Sequence, residues 1–99
     1  MAYSLIISEK AIADAITAIN YYDSISMALG NRFAEELGEA YDKIAANPEL
    51  YSYISSNPVD KLRDIKLRSF PYLVIYQVVS NDVYVNSIFN TSQDPLRIK

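Results

Sequence analysis

The run Tyr72-Leu73-Val74-Ile75-Tyr76-Gln77-Val78-Val79 constrains the fold more than any other stretch, because it is apolar on both faces except at Gln77. Side chains of a strand point to alternate faces, so such a run belongs in the middle of a sheet or under cover on both sides. The chain must therefore supply neighbours for it. Phe70-Pro71 breaks the pattern on the upstream side. Before that break, Leu62 to Ser69 places Ile65 and Leu67 in alternation with Asp64, Lys66 and Arg68, the pattern of a half-buried strand. Downstream, Ser80-Asn81-Asp82 reads as a tight turn into a third strand, Val83 to Phe89, where Val83 and Val85 alternate with Tyr84 and Asn86. The last two strands must then be antiparallel neighbours.

The first half of the chain has a different period. Tyr3 to Ile7 reads as a short strand, and Ser8 as the N-cap of a helix with Glu9 in its first turn. Ile12, Ile16 and Ile19, joined by Ala11, Ala15 and Tyr22, predict an apolar stripe on a helix running to about Asp23, with Lys10, Asp14, Thr17 and Asn20 opposite. Ser24 to Ser26 is a short connection, and Ser26 caps a second helix from near Met27. There Phe33, Leu37, Ala40, Tyr41 and Ile44 form the apolar stripe, while Arg32, Glu36, Glu39 and Lys43 follow the polar side until Asn47-Pro48 ends the helix. Two helices so closely linked pack as an antiparallel hairpin. Pro48 to Asp60 has no period and reads as a loop anchored by Tyr51 and Tyr53. The whole is expected to be one α+β domain over residues 1–99: strand, helix, helix, strand, strand, strand, with a mostly antiparallel sheet and the hairpin on one face.

The chain contains no cysteine and no histidine, which removes disulfides, thiolate zinc sites, thiol nucleophiles and every Ser-His or Cys-His relay. Any catalysis must use Lys, Arg, Tyr or carboxylates, and no metal or cofactor is expected. The net charge of −3 hides a division. Residues 1–60 carry three cations against nine carboxylates, and residues 61–99 carry six against three. That asymmetry permits a basic face on an acidic protein. No apolar run reaches the roughly 20 residues that span a bilayer. The N-terminus lacks the basic region of a secretory signal, so the cytoplasm is the expected compartment.

Several stretches, taken together and in order, carry a resemblance that covers nearly the whole chain. They are Tyr21-Tyr22, Leu29-Gly30-Asn31-Arg32-Phe33, Asn47-Pro48, Arg63-Asp64-Ile65-Lys66-Leu67, Phe70-Pro71-Tyr72-Leu73-Val74-Ile75-Tyr76, and Ser87-Ile88-Phe89-Asn90 followed by Asp94-Pro95. On these residues the chain resembles the RelE/ParE superfamily of toxins from type II toxin–antitoxin systems, also labelled plasmid stabilisation proteins. The resemblance implies the strand and helix order derived above. It also implies a cognate antitoxin that wraps and silences the toxin.

Function divides within that superfamily. RelE-like members are ribosome-dependent mRNA endonucleases that use clustered Lys, Arg and often Tyr on the open sheet face. ParE-like members have a longer helical hairpin and poison DNA gyrase without cleaving RNA. Against the nuclease pattern Lys66 keeps one basic position, but Asp64, Leu73 and Gln93 stand where lysine, arginine and arginine are found. Where many relatives end in His-x-x-Arg-Asp-Pro, this chain has Asn90-Thr91-Ser92-Gln93-Asp94-Pro95. The resemblance is therefore closer to the ParE-like branch, and the expected toxin is not an enzyme. Arg63, Lys66, Arg68, Arg97 and Lys99 are the expected target-facing set. Leu73, Ile75 and Gln77 are expected to form an exposed apolar strip for the antitoxin. The alternatives are a RelE-like endonuclease acting on ribosome-bound mRNA through Lys66, Arg68 and Tyr76 or Tyr84, and an antitoxin-binding relative without toxicity.

Overall fold

The structure is a computed structural model of the 99-residue chain, and it describes residues 3–51 and 61–92. The elements follow as β1 (Ser4–Ile7), α1 (Glu9–Ile25), α2 (Met27–Ala46), a 3-10 turn (Pro48–Leu50), β2 (Arg63–Lys66), β3 (Tyr72–Val79) and β4 (Asp82–Asn90). One four-stranded sheet has the order β1-β4-β3-β2. The two-faced apolar run is thus interior, as its composition demands, and it pairs antiparallel with both β2 and β4. β1 joins the far side of β4 in parallel. The fold is the expected α+β arrangement.

Register decides which side chains meet the helices. Val74, Tyr76, Ile65, Val83, Val85 and Ile88 lie on the helix-bearing face and are buried with Phe33, Leu37, Ala40 and Ile44 of α2. Ser8 caps α1 as expected, its Oγ accepting the Ala11 N–H at 3.0 Å. Ser26 also precedes α2 as expected, but its side chain makes no cap hydrogen bond.

Three expectations need correction. The buried stripe of α1 is Ala11 and Ala18, with Ala15, Ile19 and Tyr22 partly buried, whereas Ile12 and Ile16 are 48% and 54% exposed. Small residues let the helix approach the sheet closely, and the two isoleucines sit to one side of that contact. α1 runs on through Ile25, so only Ser26 separates the helices. β2 ends at Lys66 rather than Ser69, because the chain turns there: the Leu67 N–H reaches the Tyr72 carbonyl at 3.0 Å and the Tyr72 N–H the Phe70 carbonyl at 2.8 Å.

An aromatic cluster ties the layers together. The Tyr22 and Phe33 rings stack with centroids 5.6 Å apart. Phe70 meets both edge-on, at 4.6 and 5.1 Å, and Tyr72 meets Phe33 at 5.0 Å. Such contacts stabilise by about 0.5–1.5 kcal/mol each beyond their buried area. At the hairpin end the helices are very close. A Cβ on Gly30 would lie 2.9 Å from the Asp23 Oδ1 and 3.1 Å from its Cα, so a larger residue there would press on Asp23.

Candidate functional site

The face of the sheet turned away from both helices is built by the alternate residues of each strand. β3 contributes Leu73, Ile75 and Gln77, opposite Lys66 and Asp64 of β2 and opposite Phe89, Ser87 and Tyr84 of β4. Ile6 of β1 lies beside Tyr84. Leu73, Ile75 and Gln77 therefore share the outer face, but they are not the exposed apolar strip the sequence suggested. Leu73 and Gln77 are half-buried, and Ile75 is only 6% exposed although it stands outside the main core. Its strand is interior, so Leu73 and Gln77 flank it along the chain and Asp64 and Ser87 flank it across the sheet. Gln77 is further tied by the Asn86 amide, which donates to its Oε1 at 3.3 Å.

Among the described residues the cations do not converge. Arg63 is opposite Tyr76 on the helix-bearing side, and its guanidinium donates to the carbonyl of Tyr51 at 2.6 Å and that of Glu49 at 3.4 Å. It pins the chain that leaves the 3-10 turn. Arg68 is two-thirds exposed, yet its Nη2 lies 3.4 Å from Glu39 Oε1 and 3.5 Å from Glu36 Oε2. Lys66 is exposed on the outer face of the edge strand, within reach of the Leu67 carbonyl at 3.4 Å. Arg97 and Lys99, like Gln93, lie outside the described residues.

The tyrosines offered for acid–base work separate in the same way. Tyr76 is fully buried on the helix-bearing face and donates its hydroxyl to the Pro48 carbonyl at 2.6 Å. Burial pushes its phenol well above the ordinary range, the nearby Arg63 charge offsetting only part of the effect. Tyr84 is on the outer face, two strands away from Lys66. Asp64 has its carboxyl raised by burial, the direction expected when a carboxylate loses water without gaining a partner charge.

Periodicity placed Glu36 on the polar side of α2, and the structure buries it to 3% exposure. Its Oε1 accepts the Ser69 backbone N–H at 2.8 Å, and Arg68 covers its Oε2. Burial raises the carboxyl pKa, but the Ser69 hydrogen bonds and the Arg68 charge outweigh it, so the group ends below its ordinary value. Asp14 was missed likewise. Its Oδ2 accepts the Ile88 N–H at 3.0 Å and pairs with Lys10 at 3.0 Å. The available signal was position: Glu36 stands three residues after Phe33, and Asp14 three residues after Ala11, so each borders the buried stripe of its helix.

Among the described residues no cluster of three or more carboxylates could hold a metal, and no helix is long and apolar enough to cross a membrane. The family described as ParE toxin of the type II toxin–antitoxin system, parDE, matches residues 5–95. The chain is similar in structure to the chromosomal ParDE toxin–antitoxin system from P. aeruginosa, with a TM-score of 0.76 at 18% identity, covering 90% of this chain and 96% of that one. It is also similar to an arginine double mutant of the E. coli toxin RelE in the free state, with a TM-score of 0.59 at 23% identity and full coverage of both chains. Comparison with curated protein sequences gave no match.

Proposed function

This chain belongs to the ParE toxin family of type II toxin–antitoxin systems, and from that premise we propose that it acts by binding DNA gyrase, without enzymatic activity, and is held inactive by a cognate antitoxin. The observation that supports the non-enzymatic part is the dispersal of the basic side chains among the described residues. RNA cleavage by side chains alone needs a base for the ribose hydroxyl, an acid for the leaving oxygen and a cation for the charged phosphate. Here Lys66 stands on the outer face while Arg63 is bound to carbonyls, Arg68 to carboxylates, and Tyr76 is buried. Lys66 and the exposed part of Arg68 are what this edge offers a target, and Arg97 and Lys99, outside the described residues, complete the proposed target-facing set. Leu73, Ile75 and Gln77 form the proposed antitoxin face, of which Leu73 and Gln77 are the accessible members.

Regulated expression without antitoxin is expected to arrest growth, and the purified protein to inhibit supercoiling by gyrase. Normal growth at high soluble yield sinks the gyrase reading, and a stable antitoxin complex under those conditions marks a non-toxic relative. Ribosome-bound mRNA incubated with the protein is expected to stay intact, whereas cleavage assigns it to the endonuclease class. Lys66→Glu should weaken gyrase inhibition about tenfold or more at an unchanged unfolding midpoint.

A further inference from the structure

β1 ends at Ile7 and the chain turns into α1, so among the described residues the edge of β4 that β1 began to cover continues without a strand. Which backbone groups face that edge follows from the ladder on the other side. The Leu67 N–H bonds the Tyr72 carbonyl, so the backbone groups of Tyr72 and Val74 point toward β2, and those of Leu73 and Ile75 point toward Phe89 and Ser87. The Thr91 N–H continues the series to the Pro71 carbonyl at 2.7 Å. Ile88 and Asn90 therefore aim their N–H and C=O groups away from β3. Earlier in β4 odd-numbered residues do so, since Ser4 and Ser8 donate to the carbonyls of Asn81 and Val85. The change of phase comes from a bulge that inserts Asn86 between Val85 and Ser87, and Ser8 Oγ donates to the Asn86 carbonyl at 2.9 Å.

Asp14 takes the Ile88 N–H in place of a strand. Among the described residues, nothing bonds the Ile88 carbonyl or the Asn90 N–H. Between this edge and α1 lies a cleft of about 220 Å³ whose lining includes Lys10, Asp14, Thr17, Ala18, Tyr72 and Ile88. Tyr21 and Ile25, 57% and 58% exposed, continue the same flank of α1 seven and eleven residues beyond Asp14.

We infer that this edge receives an extended segment of the antitoxin running parallel to β4, an inference that rests on the antitoxin reading above. An edge of unpaired backbone groups is complementary to another extended backbone. The parallel direction is the one that uses both free groups, the Ile88 carbonyl and the Asn90 N–H, while leaving Asp14 in place. In a parallel ladder one residue bonds the residues before and after the one it faces. A single antitoxin residue facing Phe89 thus donates to the Ile88 carbonyl and accepts from the Asn90 N–H, leaving Asp14 in place. An antiparallel segment paired with Ile88 would need the N–H that Asp14 already holds. The facing residue sets its side chain beside Phe89 and Leu73 on the outer face, and its two neighbours point into the cleft. The walls of Thr17, Ala18 and Tyr72 fit uncharged side chains, and Lys10 pairs with Asp14, so the cleft holds no unmatched charge.

The test uses the full chain and the antitoxin encoded with it. Thr17 is exposed and makes no side-chain hydrogen bond among the described residues, so Thr17→Trp fills the cleft at little cost to folding. It is expected to weaken antitoxin binding at least about tenfold with an unchanged unfolding midpoint. Amide exchange at Asn90 should be fast in the free wild-type chain and slow in the complex, while Ser87 and Phe89, already bonded to β3, change little. Undiminished affinity of Thr17→Trp, or an Asn90 amide that exchanges as freely in the complex, overturns the inference. A wild-type chain that does not bind the antitoxin at all removes the antitoxin reading itself.

Discussion

Glu36 is the residue on which the turn after β2 depends. It holds the Ser69 N–H and the Arg68 guanidinium from inside the core, so removing it takes the charged acceptor from both and leaves a gap beneath the turn. Glu36→Ala should destabilise the protein by about 1–3 kcal/mol in urea unfolding. The acid limb gives a separate check. Because the folded carboxyl titrates below its ordinary value of 4.5, its contribution is complete above that value and is lost as the pH falls through the folded pKa. The stability gap between wild type and Glu36→Gln should therefore narrow on acidification and hold constant above about pH 6. Arg63→Ala should cost about 1–3 kcal/mol by releasing the carbonyls of Tyr51 and Glu49, in contrast to Lys66→Glu, which touches neither. Glu36 and Arg63 share a lesson about legibility. Side-chain type and spacing identified them as surface charges, but their roles depend on backbone groups 33 and 12 residues away, which no local pattern reveals.

At the scale of elements, the sequence declared the strands and both helices but misassigned a helix face. The Ile12, Ile16, Ile19 series is a good amphipathic pattern, yet the contact with the sheet uses Ala11 and Ala18. Apolar periodicity locates a stripe only to within about one residue's rotation, and here the alanines beside it won because they allow closer packing. Ile12→Lys combined with Ile16→Lys should accordingly change unfolding free energy by no more than about 0.5 kcal/mol per site. Gly30→Ala puts a methyl 2.9 Å from the Asp23 Oδ1, which can swing aside, and 3.1 Å from its Cα, which must give by a few tenths of an ångström, so it should change stability by no more than about 1 kcal/mol in urea unfolding. The turn between β3 and β4 offers the reverse case. Ser80 sits at φ 55°, so Ser80→Gly should raise the unfolding midpoint slightly, by up to about 1 kcal/mol of stability.

For the whole molecule, the stretches that carried the family resemblance turn out to be mainly architectural. Tyr22, Phe33, Phe70 and Tyr72 form one aromatic cluster, Gly30 permits the hairpin to close, and Pro48 accepts the hydroxyl of Tyr76. That explains why the fold was legible while the site was not: the recognisable residues are those that hold the layers together, and the outer face is made of side chains with little pattern of their own. The charge asymmetry was real but produces no basic cluster among the described residues, because Arg68 is drawn onto the carboxylates of α2 and Arg63 onto the chain after the 3-10 turn. The parallel pairing of β1 with β4 has a consequence for how the molecule is made. Its partners are 78 residues apart, so β1 waits unpaired through synthesis until β4 has emerged. Closing so long a loop is slow and comes late in folding. A ribosome that stalls before Asp82 releases a chain whose sheet cannot be completed, so translation errors in this protein yield fragments without the assembled surface rather than a partly armed toxin.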